Sequence, residues 1–158
     1  GLTHLKYSKL LFLKENINVG ENQIDECIKL FFVFGNLNRN TDYEKSISIY
    51  KDIIDIIRES YEKRKFIMPH RCFDLVLCYK ELGILYIDLN IDKKDTEKYL
   101  NEALNIINFV HDNSKIRENK NTNFEKEKFE IEEVLKKLKK PEKTSLSNRS
   151  FKKYIDQK

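Results

Sequence analysis

The residues that could carry acid–base, nucleophilic or metal chemistry are spread widely along the chain. They comprise three cysteines and three histidines: Cys27, Cys72, Cys78, His4, His70 and His111. Cys72 and Cys78 are six residues apart, which places them on different faces of a helix, so zinc ligation is not expected. The sequence contains no Gly-rich phosphate loop and no Gly-x-Ser-x-Gly elbow. These patterns predict a protein that is not an enzyme, with no metal site and no cofactor.

One segment, Asp88 to Asp92, begins like a calcium-binding loop. Such a loop needs Gly at its sixth position for the turn and Glu at its twelfth as a bidentate ligand. Lys93 and Tyr99 occupy those positions, so the match fails. We interpret the segment as a turn between two helices, with Asp92 as the N-cap of the second.

Composition favours a soluble, all-α chain. Of 158 residues, 40% are apolar and 35% charged, with 4 Gly and 2 Pro, too few for the tight turns of a β-sandwich or barrel. No run approaches the roughly 18 apolar residues of a membrane span, and no secretory signal is visible. The longest apolar run, Leu30 to Phe34, is expected to be a buried helix segment. The cysteines are odd in number and lie in apolar helical patterns, which indicates free thiols and a cytoplasmic location.

Hydrophobic periodicity predicts about six helices, which must position any site. They cover approximately residues 3–15, 22–36, 41–63, 69–89, 93–111 and 122–138. Thr41 and Glu44 form a capping box for the third, and Ile49 and Ile56 predict that it contacts neighbours on two sides. Pro69 suits the first turn of the fourth, which is apolar almost all round and therefore central. Thr122 or Asn123 caps the sixth, and Pro141 ends it.

Basic charge is concentrated at the end of the chain. From Lys136 to Lys158 there are nine basic and two acidic residues, a net of +7. Since the whole chain carries +4, the remainder sums to −3. We therefore divide the chain into a helical domain over residues 1–140 and a basic, flexible tail over residues 141–158.

Two predicted helix pairs share a pattern of small and apolar residues. In the first, Gly35 is followed by Asp42 to Tyr50; in the second, the run Leu82-Gly83-Ile84-Leu85-Tyr86 is followed by Glu97 to Leu104. These pairs resemble the tetratricopeptide repeat, although their spacing is near 50 residues rather than 34. The resemblance implies antiparallel helical hairpins in a short α-solenoid, with a plain bundle as the alternative.

In that repeat, small residues lie where the two helices of a pair approach most closely. The resemblance assigns this role to Gly83 and Ala103 in the second pair, and to Gly35 and Ser46 in the first. Short side chains are needed there because helix axes approach to about 8 Å only where little intervenes.

A longer stretch, from the second helix to Lys143, resembles the C-terminal part of the kinesin-family-binding protein. The order is a long helix containing Lys45 to Asp55, an apolar helix from Pro69, the helix Glu97 to Asp112, and a Glu-rich helix, Glu125 to Leu138. This resemblance implies a tetratricopeptide-like solenoid that binds kinesin motor domains on its concave face and keeps them off microtubules.

The repeat register predicts a partner-binding groove between the second and fourth helices. Its predicted residues are Lys29, Phe32, Asn36, Leu77, Lys80, Ile84 and Asp88. An apolar groove rimmed by charge suits a helix of a protein partner, although Phe32, Leu77 and Ile84 also fit a plain core. The positions that bind a terminal carboxylate in chaperone clamps hold Leu77 and Glu81 here, so that mode is not expected.

The tail supplies an alternative function. Its lysines could bind nucleic acid or another acidic surface, but Phe151 and Tyr154 are the only aromatics there, so such binding would be salt-sensitive and blind to sequence. A further alternative is that the tail folds back as a lid, with Phe151 and Ile155 in the groove. The sequence therefore favours a protein partner over nucleic acid, without a small-molecule substrate.

Overall fold

A computed structural model describes residues 21–64, 69–113 and 123–140 of the chain. These residues form five helices without a strand: α1 (Glu21–Asn38), α2 (Tyr43–Arg64), α3 (Pro69–Asp88), α4 (Lys93–Asp112) and α5 (Phe124–Lys139). The predicted all-α class is thus confirmed for the described part. The helix predicted over residues 3–15 and the predicted tail over residues 141–158 lie outside the described residues.

Short polar residues fix where the helices begin. The Asp92 side chain accepts a hydrogen bond from the Lys94 amide at 2.8 Å, as its predicted N-cap role requires. At the start of α5, Asn123 rather than Thr122 is the cap, accepting from the Lys126 amide at 3.0 Å. α3 begins at Pro69, as predicted.

The prediction that Thr41 caps the third predicted helix was wrong. Asp42 takes this role, because its Oδ1 atom accepts from the Lys45 amide at 3.1 Å. Thr41 belongs instead to the turn that closes α1, where its amide donates to the Asn38 carbonyl at 3.1 Å.

α3 lies at the centre of the domain, as its apolar sequence predicts. It packs against α2, α4 and α5, and Val76, Leu82 and Leu85 on it are fully buried. α2 is buried on two sides, since both Ile49 and Ile56 are inaccessible. The hydrophobic core therefore surrounds α3.

Small residues lie at close contacts within each helical hairpin. A Cβ atom placed on Gly83 would lie 2.6 Å from the Leu100 side chain, and Ala103 is fully buried. In the first hairpin, a Cβ on Gly35 would lie 3.0 Å from the Tyr50 ring, and the buried Ser46 hydroxyl donates to the Gly35 carbonyl at 2.8 Å.

Contacts between hairpins show that α1, α3 and α5 run in the same direction. Between α1 and α3, Asp25 contacts His70, and Arg39, just after α1, contacts Glu81 further along. Between α3 and α5, the ring of Phe73 meets that of Phe124, while Lys80 pairs with Glu130. The contact positions advance together along each pair, which is the signature of parallel neighbours.

The apolar run Leu30 to Phe34 is not buried as a whole, contrary to the prediction. Phe31 is in the core, but Leu30 and Val33 are each 54% exposed, and Leu37 is 66% exposed. Helical periodicity explains this, because Leu30, Val33 and Leu37 share the face of α1 that points away from the core.

Candidate protein-binding groove

A groove of about 340 Å³ runs between α1 and α3. We call it the α1/α3 groove and define it by its lining residues: Asp25, Ile28, Lys29 and Phe32 from α1, and His70 and Asp74 from α3. Residues three and four apart share a helix face, so two parallel helices present these side chains to each other. Its walls therefore combine apolar and charged groups.

An ion-pair cluster closes one end of the α1/α3 groove. Asp25 Oδ1 accepts from Arg71 Nε and Nη2, each at 3.3 Å, and lies 3.1 Å from His70 Nε2. The Arg71 side chain is only 4% exposed, and its Nη1 atom also donates to the Ser60 hydroxyl at 2.9 Å. This cluster ties the first turn of α3 to α1 and α2.

A second ion pair lies toward the other end of the same two helices. Arg39, just after α1, pairs with Glu81 on α3. Burial raises the pKa of Glu81, and the positive charge of Arg39 opposes that rise. The two helices are thus linked by charge pairs at both ends, with the lined groove between them.

Asp74 is an exception among the acidic groups of the groove. Its side chain is half-buried, and no described residue donates a hydrogen bond to its carboxylate. Burial raises its pKa to about 6; the charge of Asp25 adds to the rise, while His70, Arg71 and Lys29 oppose it. Among the described residues, Asp74 is therefore a partly desolvated carboxylate without a bonded counter-ion.

Four of the seven residues predicted to bind a partner lie on or beside this groove. Lys29 and Phe32 line it, and Phe32 also packs against Tyr50, with ring centroids 6.2 Å apart. Leu77 follows Asp74 by three residues on α3 and is half-buried. Asn36 is exposed one turn beyond Phe32, and its Oδ1 accepts from the Tyr50 hydroxyl at 2.6 Å.

Like Leu77 and Asn36, the other three predicted residues are not among those that line the groove. Lys80 faces α5, where its buried ammonium pairs with Glu127 and with Glu130 at 2.8 Å. Lys80 follows Asp74 by six residues, which turns it about 120° around the helix, away from α1. Ile84 is half-buried and Asp88 is exposed, both nearer the end of α3.

The sequence reasoning missed Asp74, His70 and Asp25 as groove residues. A signal for Asp74 was present, since it precedes the predicted Leu77 by three residues and so shares its face. The predicted partner-binding residues on α3 ran from Leu77 to Asp88, toward the C-terminal end of the helix. The groove lies near its N-terminal end instead.

A second cavity, of about 270 Å³, lies on the opposite flank, and sequence reasoning did not predict it. We call it the α2/α4 cavity, since α2 and α4 form its walls over the first turns of α3. It is lined mainly by apolar groups: Arg58, Tyr61, Cys72, Leu75, Asn105, Ile106 and Phe109. Tyr61 and Phe109 are partly exposed at its rim. This cavity offers mainly apolar contact, and its charged group is the Arg58 guanidinium, which donates to the Tyr79 hydroxyl.

The cysteines are free thiols, as predicted. Cys72 and Cys78 are buried and Cys27 is half-buried, and burial raises the pKa of all three, that of Cys72 to about 11. A thiol with a raised pKa is a poor nucleophile. Within residues 21–64, 69–113 and 123–140, no three His, Cys, Asp or Glu side chains converge as metal ligands.

None of the described helices combines the length and apolar character needed to cross a bilayer. The chain matches no model of a known protein family, no curated protein and no solved structure. The basis for a functional proposal is therefore the geometry and charge of sites such as the α1/α3 groove and the α2/α4 cavity.

Proposed function

We propose that this chain is a non-catalytic protein-interaction module, an adaptor that binds a segment of a partner protein in the α1/α3 groove. The observation that carries the proposal is a solvent-open groove with apolar walls and charged edges, tied at both ends by ion pairs. Ile28 and Phe32 offer apolar contact, while Lys29 and Asp74 offer charge. A helix laid along such a groove buries its apolar face and keeps its polar face in water.

A tetratricopeptide-like arrangement supports this choice of surface. α1 and α3 are the first helices of the two hairpins, they run parallel, and each carries a glycine at the contact with the second helix of its pair. In the resembling family, first helices line the concave, partner-binding face. The α1/α3 groove would lie on that face.

The experiment that tests the groove compares two phenylalanines. Phe32→Ala removes apolar surface from the α1/α3 groove, whereas Phe109→Ala removes it from the α2/α4 cavity. With a partner identified by affinity purification and mass spectrometry, we expect Phe32→Ala to weaken binding about tenfold, equivalent to about 1.4 kcal/mol. Phe109→Ala should leave the affinity unchanged. The opposite result would assign binding to the α2/α4 cavity, and circular dichroism melting shows whether each variant is folded.

A finer proposal, from the longer resemblance, is that the partner is a kinesin motor domain. The chain would then hold the motor away from microtubules. Co-sedimentation of a purified kinesin motor domain with microtubules tests this directly. We expect wild-type protein to lower the sedimented fraction of motor and Phe32→Ala to lower it less. An unchanged sedimented fraction with wild-type protein would reject this partner.

The alternative proposal, binding of nucleic acid or another acidic surface, is favoured by one observation, the net +7 charge of residues 136–158. Removing residues 143–158 separates the two proposals. A protein-interaction module keeps its partner affinity after this deletion. A nucleic-acid-binding protein loses its salt-sensitive affinity for a DNA or RNA duplex.

A further inference from the structure

The acidic groups on the α1/α3 contact differ in whether each is paired with a cation. Asp25 is bonded to Arg71 and lies beside His70, and Glu81 is paired with Arg39. Asp74 lies between these pairs and accepts no hydrogen bond from any described residue.

This arrangement is unfavourable for folding alone. A carboxylate that is partly removed from water without a bonded cation weakens the folded state, and the raised pKa of Asp74, about 6, records that effect. An uncharged side chain at this position would be more stable. Charges that oppose stability are concentrated at binding and catalytic sites, because a ligand can supply the missing partner.

The shape of the groove fits a long basic side chain. Ile28 and Phe32 provide apolar walls beside Asp74. Lysine and arginine combine an aliphatic stem with a charged end, so the stem can lie along apolar walls while the end meets a carboxylate. The groove volume of about 340 Å³ is near the lower limit of small-molecule pockets, which run from roughly 300 Å³ upward.

Four other charged or titratable groups face Asp74 in the groove. From α1 the groove is faced by Asp25 and the exposed Lys29, and from α3 by His70 and Arg71. The Arg71 guanidinium already bonds Asp25 and Ser60. Lys29 is exposed and lines the groove, so its ammonium should repel an incoming cation.

We propose that the α1/α3 groove recognises a lysine or arginine side chain of the partner, with the Asp74 carboxylate as its counter-ion and Ile28 and Phe32 as walls for its stem. This inference rests on the proposed function and specifies the chemistry of the partner segment.

Side-chain analogues test the inference on the full chain. Two cations, n-butylammonium and n-propylguanidinium, are titrated at pH 7.5 while amide and methyl NMR signals are followed. We expect saturable shifts at Ile28, Phe32 and Asp74, and at least fivefold weaker binding to Asp74→Asn. Asp112→Asn, which removes an exposed carboxylate at the end of α4, should bind as wild type does. Lys29→Gln should bind more tightly, because it removes a repelling ammonium.

Acidification supplies a second readout. Between pH 7.5 and 5 the affinity for both cations should fall, because Asp74 gains a proton. The fall should persist in His70→Gln and be absent in Asp74→Asn. A fall that vanishes in His70→Gln would overturn the role of Asp74.

Two further ligands, one neutral and one anionic, are titrated against the wild-type chain, so this test does not depend on whether the variants fold. Equal binding of neutral 1-pentanol would show a merely apolar groove, and tighter binding of butyrate would show an anion site at Lys29; either result overturns the inference. Partner binding separates the two proposals. If Phe32→Ala abolishes partner capture and Asp74→Asn does not, the basic-residue inference alone fails. If Phe32→Ala leaves capture intact, the proposed function fails.

Discussion

α3 has a parallel helix on each side, and the two contacts treat charge in different ways. Toward α5, the buried Lys80 pairs with Glu127 and Glu130. Toward α1, ion pairs lie at both ends, and Asp74 between them forms no ion pair with a described residue. On the α5 side the ion pairs of α3 form within the protein. On the α1 side a ligand could supply a cation for Asp74.

This difference between the α3/α5 and α1/α3 contacts indicates where a ligand could bind. A buried ion pair contributes little net stability, but losing one partner strands the other charge in a poor solvent. The α3/α5 contact therefore resists opening. In the α1/α3 groove the half-buried Asp74 carboxylate has no bonded cation among the described residues. A cation that enters the groove would therefore offset the desolvation cost of this carboxylate.

Lys80→Met should destabilise the protein by about 3 kcal/mol, because it keeps most of the stem but leaves the buried Glu127 without its cation. Burial lowers the pKa of Lys80, but its bonds to Glu127 and Glu130 outweigh that effect and raise it, so the ammonium is charged at neutral pH. Urea denaturation at pH 7.5 measures the change.

The matched control for Lys80 is Lys98→Met, at an exposed position on α4. It should change stability by less than about 0.5 kcal/mol. The double variant Lys80→Met with Glu127→Leu should recover most of the loss. Equal stability of Lys80→Met and wild type would mean that the α3/α5 ion pairs do not seal that contact.

Gly83→Ala should destabilise by about 2 kcal/mol, because the added Cβ would lie 2.6 Å from Leu100 in the fully buried α3/α4 contact. A gain of about 1 kcal/mol in helix propensity offsets part of the overpacking. Because α4 packs against α3, weakening this contact should also loosen the contacts of α3 with α1 and α5. Thermal unfolding measures the loss of stability.

Gly35→Ala is the comparison for Gly83. Its added Cβ would lie 3.0 Å from the Tyr50 ring, a milder contact that a small ring tilt relieves. The gain in helix propensity should then nearly cancel the strain, leaving a change within about 0.5 kcal/mol. A larger loss at Gly35 than at Gly83 would reverse the order of tightness assigned to the two hairpins.

Asp74→Asn should stabilise the protein at pH 7.5 by about 1.5 kcal/mol. A pKa raised from 3.8 to about 6 corresponds to roughly 3 kcal/mol at full strength, and residual exposure reduces it. The folded state binds this proton more tightly than the unfolded state, so the wild-type penalty is relieved as the pH falls through about 6 toward 3.8.

Denaturant titrations between pH 7.5 and 5 measure this effect. The contribution of Asp74 to stability should rise on acidification in the wild type and be missing in Asp74→Asn. The Asp112→Asn control should titrate as the wild type does. Loss of stability in Asp74→Asn at pH 7.5 would show that the carboxylate has a partner and that the groove is not short of a cation.

Asn123→Ala should destabilise the protein by about 1 kcal/mol, because it removes the side-chain acceptor that caps α5. Hydrogen exchange should become faster in the first turn of α5 and stay unchanged in α1. Asn123→Asp should restore protection, since aspartate caps equally well. Uniform acceleration throughout the chain would show that α5 does not open separately from the rest.

Local patterns in the sequence predicted the helices of the described region well. The cap Asp92 and the start at Pro69 were assigned correctly, and Asn123 was one of two caps proposed for α5, because each of these depends on neighbours within a few positions. Thr41 was wrong because two adjacent residues could serve as caps, and the turn after α1 decided between them.

The sequence by itself determined that α3 would be central, since an almost entirely apolar helix must be covered on all sides. It also determined that Lys29 and Phe32 share a face. Only the tertiary structure decided that Lys80 meets Glu127 and that Asp74 meets no donor among the described residues. Helical period fixes the direction of a side chain relative to its own helix, whereas the charge it meets depends on which helix packs there and at what height.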